Sequence, residues 1–235
     1  MKIKQHLLAS ALCVLPFAAS AADLPVKAPY RAVQPVPFTW TGLYIGASGG
    51  LITQGTTGTD LDGFWDTAGD QYGITGHGGI FGINVGYNYQ MGNIVLGLEA
   101  DIAASSLDNS LTTAGGLGLS SKLNSLGTVR GRIGYAFDRA LLYATGGFAY
   151  GHVENNAYST FTTSHNSSTS GFQTGWTVGG GLEYAFTNNW TVRVEGLYVD
   201  LGTTTGSIST DGSVGCRFGF KNTYSLARLG VNYKF

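Results

Sequence analysis

Beyond residue 37 the sequence has no proline; all five lie at Pro16, Pro25, Pro29, Pro35 and Pro37. Proline lacks the N–H that a sheet ladder uses and is confined to edges and bulges, so the proline-free remainder permits an uninterrupted sheet. Charge is scarce as well, with Asp, Glu, Lys and Arg making up 11% of the chain. That is too little for a basic nucleic-acid surface, and it fits a wall with a lipid-facing side better than a water-soluble enzyme. The only cysteines are Cys13 and Cys216. No apolar run after the first residues approaches the about 20 needed for a spanning helix. If this chain crosses a membrane it does so with strands, the other solution that satisfies every backbone polar group.

The first residues follow the pattern of a secretory signal peptide over 1–21: Lys2 and Lys4, an apolar run from Leu7 to Ala18, then Ala19-Ser20-Ala21. Its removal takes two lysines and no acid, so the mature chain is more acidic than the formal net charge of −1 of the whole, and no nucleic-acid partner is expected. Cys13 leaves with it, so Cys216 remains as a free thiol without an internal disulfide partner. Residues 22–37 form a proline-containing segment without alternation, and 38–235 read as one β-domain.

What is abundant is glycine, with 37 residues, roughly twice the average usage of about 7%, together with aromatic residues in a repeating position. Tyr87 and Tyr89 precede Gln90-Met91-Gly92-Asn93, Tyr135 and Phe137 precede Asp138-Arg139, and Tyr184 and Phe186 precede Thr187-Asn188-Asn189, with Trp190 beyond. The chain ends Leu229, Val231, Tyr233, Phe235, apolar at every second position. Amphipathic rings settle at headgroup depth, so Tyr87, Tyr89, Tyr135, Phe137, Tyr184, Phe186, Trp190, Tyr233 and Phe235 are expected to form an aromatic girdle at one boundary of a membrane. Three tight turns with both chain ends on one side require eight strands, an all-β, eight-stranded antiparallel up-and-down transmembrane β-barrel. They are expected near Trp40–Leu51, His77–Tyr89, Ile94–Ser106, Leu123–Phe137, Ala140–Val153, Phe172–Phe186, Trp190–Leu201 and Thr223–Phe235. Between them run four long connections, 52–76, 107–122, 154–171 and 202–222, which the usual polarity of outer-membrane barrels directs outward from the cell.

Period-two alternation assigns faces. Ile94, Leu96, Leu98, Ala100 and Ile102 oppose Glu99 and Asp101; Val129, Ile133, Tyr135 and Phe137 oppose Arg130 and Arg132. Trp176, Val178, Leu182, Tyr184 and Phe186 oppose Glu183; Trp190, Val192, Val194 and Tyr198 oppose Arg193 and Glu195. The first and fifth strands are ambiguous by this test. Charge on the lipid face costs about 2–4 kcal/mol for Arg or Lys at midplane, so Glu99, Asp101, Arg130, Arg132, Glu183, Arg193, Glu195 and Arg228 are expected inside as a lumen charge network. Two functions fit such a set: a plugged or very narrow barrel with a structural, surface-exposed role, or a narrow porin-like channel for ions or very small solutes.

Other constellations carry less. His152 and Glu154 share a strand face near a Ser- and Thr-rich stretch, too little for a catalytic triad; His77 and His165 have no such company. Asp60, Asp62, Asp66 and Asp70 crowd one connection without completing a calcium loop. Gly78-Gly79 and Gly146-Gly147 lack the lysine of a phosphate loop. The expectation is no enzyme activity, no cofactor and no metal.

The motifs Phe38-Thr39-Trp40-Thr41-Gly42-Leu43-Tyr44-Ile45-Gly46, Gly86-Tyr87-Asn88-Tyr89-Gln90, Gly97-Leu98-Glu99-Ala100-Asp101, Arg130-Gly131-Arg132-Ile133-Gly134-Tyr135 and Gly175-Trp176-Thr177-Val178-Gly179-Gly180-Gly181-Leu182-Glu183-Tyr184 resemble the small outer-membrane β-barrel proteins of alphaproteobacteria, the porin family or outer-membrane immunogenic protein type. The resemblance implies an OmpA-like barrel in the Gram-negative outer membrane, embedded in its lipids, with roles in envelope integrity and surface antigenicity. In some relatives it extends to haem binding, so extracellular surface ligands or haem are possible partners. It also implies that Phe235 is an assembly signal read by the barrel insertion machinery.

Overall fold

The computed structural model describes residues 37–62, 67–112, 117–159, 166–210 and 213–235. The expected signal peptide at 1–21, nearly all of segment 22–37, Asp66 and His165 lie outside the described residues. Among the described residues every element is a strand, in chain order β1 (Gly42–Asp60), β2 (Gln71–Met91), β3 (Ile94–Thr112), β4 (Leu117–Phe137), β5 (Ala140–Ser159), β6 (Asn166–Ala185), β7 (Trp190–Thr210) and β8 (Ser213–Lys234). Each pairs antiparallel with the next, and β8 returns to β1 from Tyr44↔Lys234 to Asp60↔Phe218, closing an eight-stranded barrel. Closure leaves no edge to be capped.

The alternation read from the sequence sorts the faces as expected and resolves both ambiguous strands. In β1, Leu43, Ile45 and Leu51 point out while Tyr44, Ser48, Ile52 and Gln54 are buried; in β5, Leu142 and Phe148 point out while Leu141, Tyr143 and Thr145 are buried. The short turns stand where the aromatic pairs place them, and Asp138 takes a positive φ of 55° and Gly92 one of 61° to make two of them.

The opposite end differs from the sequence reading. The strands run 19 to 22 residues, well past the about 9–11 that a bilayer needs, so most of each expected connection is continued ladder. Cys216 consequently falls within β8, in register with Ile208, rather than in a connection. These outer halves are rich in Thr, Ser, Asn and Gly. With water on one face and polar side chains on the other, they carry no apolar alternation to read, yet their main chains still pair. Register shifts between Ala104 and Leu107, Leu123 and Ser125, and Asp200 and Thr203 mark the height at which this polar extension begins.

Candidate functional site

The lumen is built in layers. At the turn end, Trp40, Val95, Ala136, Leu141, Tyr143 and Ala185 form an apolar floor, with Phe38 packed beneath. Trp40 is held there by both ends of its peptide and indole: its backbone N–H donates to Gln90 Oε1 at 2.7 Å and its Nε1 to the Asp138 carbonyl at 3.1 Å. Trp40 is thereby tucked under the β2–β3 and β4–β5 turns.

Above this floor the structure brings together all eight charged residues expected inside, none more than 7% exposed. Arg130 is the hub. Its Nη2 donates to Glu99 Oε1 at 2.5 Å and to Asp101 Oδ2 at 3.0 Å, and its Nη1 to Glu195 Oε2 at 3.1 Å. Arg228 closes a ring by reaching Glu195 Oε1 at 2.5 Å and Asp101 Oδ1 at 3.2 Å. Arg193 donates to the remaining oxygen of Glu99 at 2.5 Å. Arg132 pairs with Glu183 and lies 3.7 Å over the Tyr143 ring, while Glu183 also accepts from Thr191 at 2.6 Å and Asn232 at 2.9 Å. Charge balances residue for residue, and most carboxylate oxygens have a donor, which is what burial of ions requires.

Two tyrosines complete this layer, and their role was not readable from their residue type, which on a barrel strand suggests a membrane boundary. Tyr44 donates to Glu99 at 2.7 Å and Tyr143 to Glu195 at 3.0 Å. The signal that marks Tyr44 is its neighbour in the sheet: a Cβ built on Gly86 would sit 2.4 Å from the Tyr44 ring, so glycine at that inward position makes room for the ring. Gly181 does the same for Tyr143, whose ring a Cβ there would meet at 2.9 Å.

Outward of the charges lies a second apolar layer. Ile52, Ile80, Leu107, Leu126, Leu197 and Tyr224 belong to a buried cluster fed by every strand except β6. It too was missed, although β7 carried a sign of it: past Gly196, Leu197, Val199 and Leu201 are apolar on the parity that holds Arg193 and Glu195. Amides and hydroxyls fill the lumen above. Gln54 donates to Ser121 at 2.7 Å, Thr56 to Asn222 at 2.9 Å and Asn222 to Gln173 at 3.0 Å.

On the outside, Tyr87, Tyr89, Tyr135, Phe137, Tyr184, Phe186, Trp190 and Phe235 are exposed beside the short turns, and Tyr233 stands between Trp190 and Phe235 at ring distances of 5.1 Å. A second outward set, Phe148, Trp176 and Tyr198, lies toward the other end, with Trp176 and Tyr198 5.5 Å apart. The described acidic residues of the first connection, Asp60, Asp62 and Asp70, do not group to hold a metal. Asp60 is buried at the end of β1, the Asp70 carboxylate accepts from the Thr67 N–H, and Asp62 binds Arg217 at 2.9 Å. The hydrogen bond from Arg217 holds the Asp62 carboxyl below its usual range. Among the described residues no three His, Cys, Asp or Glu side chains are grouped to hold a metal.

Comparison with known proteins agrees with this geometry. A family model described as outer membrane protein beta-barrel domain matches residues 9–235. The 31 kDa outer-membrane immunogenic protein of Brucella melitensis is 37% identical over 99% of this chain and 100% of its own length. The 22 kDa outer membrane protein of Rhizobium leguminosarum is 36% identical over 69% of this chain and 64% of its own. Among solved structures, the outer membrane protein OprG of Pseudomonas aeruginosa shares the fold with a TM-score of 0.50 at 16% identity, covering 84% of this chain and 98% of that one.

Proposed function

This chain belongs to the outer membrane protein beta-barrel family and resides in the cell outer membrane of a Gram-negative bacterium, and on that footing we propose that it is a non-conducting structural barrel whose outer hairpins are its working surface. The observation that carries this reading is the order of the lumen layers. A neutral ring of ion pairs lies between an apolar floor and an apolar layer, and an ion crossing it would leave water twice. Moving an ion into such surroundings costs several kcal/mol even after relaxation.

The same reading has no catalytic step. Ser170 and Glu154 both approach Nε2 of His152, at 3.3 Å and 3.8 Å, which leaves Nδ1 without the orienting carboxylate that a triad needs. Residues 1–21 act as the export leader.

Planar-bilayer recording on purified protein tests the proposal. No resolvable single-channel steps are expected in molar salt. Reproducible steps of one size would replace it with the narrow channel that the same charges can line.

A further inference from the structure

On the outward wall of β4, β5 and β6, above the second aromatic set, six polar and aromatic side chains gather that the lumen does not use. We propose that Lys122, Asn124, His152, Glu154, Ser170 and Phe172 bind the sugar headgroup of a glycolipid in the outer leaflet.

The ladder aligns Lys122 with Glu154, Glu154 with Ser170, and His152 with Phe172. The register shift between Leu123 and Ser125 leaves Asn124 as an extra residue, and a bulge of that kind re-aims a side chain. Here it delivers the Asn124 amide to Glu154 Oε1 at 2.7 Å. Ser170 Oγ lies 3.3 Å from His152 Nε2, and the His152 ring meets that of Phe172 at 5.0 Å and 63°. Phe172 is braced from the side while remaining 74% exposed, the most exposed large apolar side chain among the described residues.

Depth points to the occupant. At a rise of about 3.4 Å per residue and a tilt of about 40°, His152 stands about 25 Å above Leu142, which is the height of the apolar band of an outer-membrane barrel. The patch therefore sits where acyl chains end and headgroups begin. Its chemistry selects among headgroups. An open aromatic face beside a carboxylate, an amide and a hydroxyl matches a pyranose ring, apolar on one face and ringed by hydroxyls. Lys122 offers a single cation to a phosphate ester on the sugar, and Glu154 beside it keeps the patch from attracting polyanions at large. A phospholipid headgroup without a ring has no use for Phe172. Hydrolysis is not part of the proposal, because His152 Nδ1 has no carboxylate to orient the ring.

The test uses full-length mature protein in a detergent without a sugar headgroup, then in nanodiscs of phosphatidylethanolamine and phosphatidylglycerol, with rough lipopolysaccharide as the probe and native mass spectrometry as the readout. Retention of lipopolysaccharide over phosphatidylglycerol is expected for the parent and for Phe172→Trp. Phe172→Leu and Glu154→Gln are each expected to lower it about tenfold, as the loss of one good polar or ring contact should, with the barrel still heat-modifiable on gels. His77→Ala, outward on β2, serves as the control and should change nothing. Equal retention of both lipids by the parent, unchanged binding in Phe172→Leu, or an equal loss in His77→Ala would each overturn the assignment.

Discussion

Arg130 serves three carboxylates on two different strands, so its replacement strands more charge than it removes. Arg130→Leu is expected to destabilise the barrel by about 3–5 kcal/mol, the range for breaking a buried ionic group from one side, measured by urea unfolding in detergent or thin vesicles. The Arg132 and Glu183 pair is more self-contained. Arg132→Leu and Glu183→Leu together should cost less than the sum of the two single changes, and strict additivity would mean that the two are not energetically coupled. Gly86→Ala should cost about 1–3 kcal/mol by overpacking, because the new methyl group meets the Tyr44 ring and pushes its hydroxyl away from Glu99. That the charged side chains lie inside was legible, since period two and the cost of charge in lipid leave them nowhere else. Which arginine meets which acid was not, because those distances span the lumen and depend on the stagger of strands far apart in the chain.

At the level of strands, the membrane-crossing halves were readable and the outer halves were not. Gly55, Thr56 and Thr57, with their partners Thr223, Asn222 and Lys221, put no apolar side chain on either face, and the main-chain ladder carries the sheet through them. Cys216 sits in this outer part of β8, near the last hairpin. A membrane-impermeant maleimide is expected to label it on intact cells; labelling confined to permeabilised cells, with denatured protein as the reactivity control, would invert the orientation. At the same rim, Leu61 N–H bonds the Arg217 carbonyl and Arg217 grips Asp62. Because the Asp62 carboxyl is held low, this strap is complete above the usual carboxylate range and is lost as pH falls through the lowered value, which limited proteolysis of the first hairpin at stepwise lower pH can follow. At the other end, Phe235 adds one backbone bond to Leu43 at 3.0 Å and a ring contact with Tyr233. Deleting it should lower the amount of folded protein in the outer membrane while the truncated chain still refolds in detergent. Equal membrane levels would leave Phe235 without a part in assembly.

For the whole molecule, closure followed from three aromatic-flanked turns and a sequence end on the same side, and it is the β1 to β8 seam that realises it. What stayed hidden was the stacking of the lumen, since an apolar residue facing inward looks the same in sequence as one facing lipid. If the apolar layer is the barrier to ions, Leu126→Ser combined with Leu197→Ser should admit water, seen as faster amide exchange in the strands around it and as measurable conductance. An unchanged, silent barrel would shift the barrier to the charged ring itself.

The ring around Arg130 also sets how this sequence can drift. Its members come from β3, β4, β7 and β8, so a change in any one is answered by side chains 29 to 127 residues away, and single steps pass through an unpaired ion. Among the described residues the outer strand ends hold no comparable ring of buried ions. Lineages descending from this chain should therefore keep their interior fixed in blocks while their outer rims turn over freely, offering new surfaces on an unchanging stem.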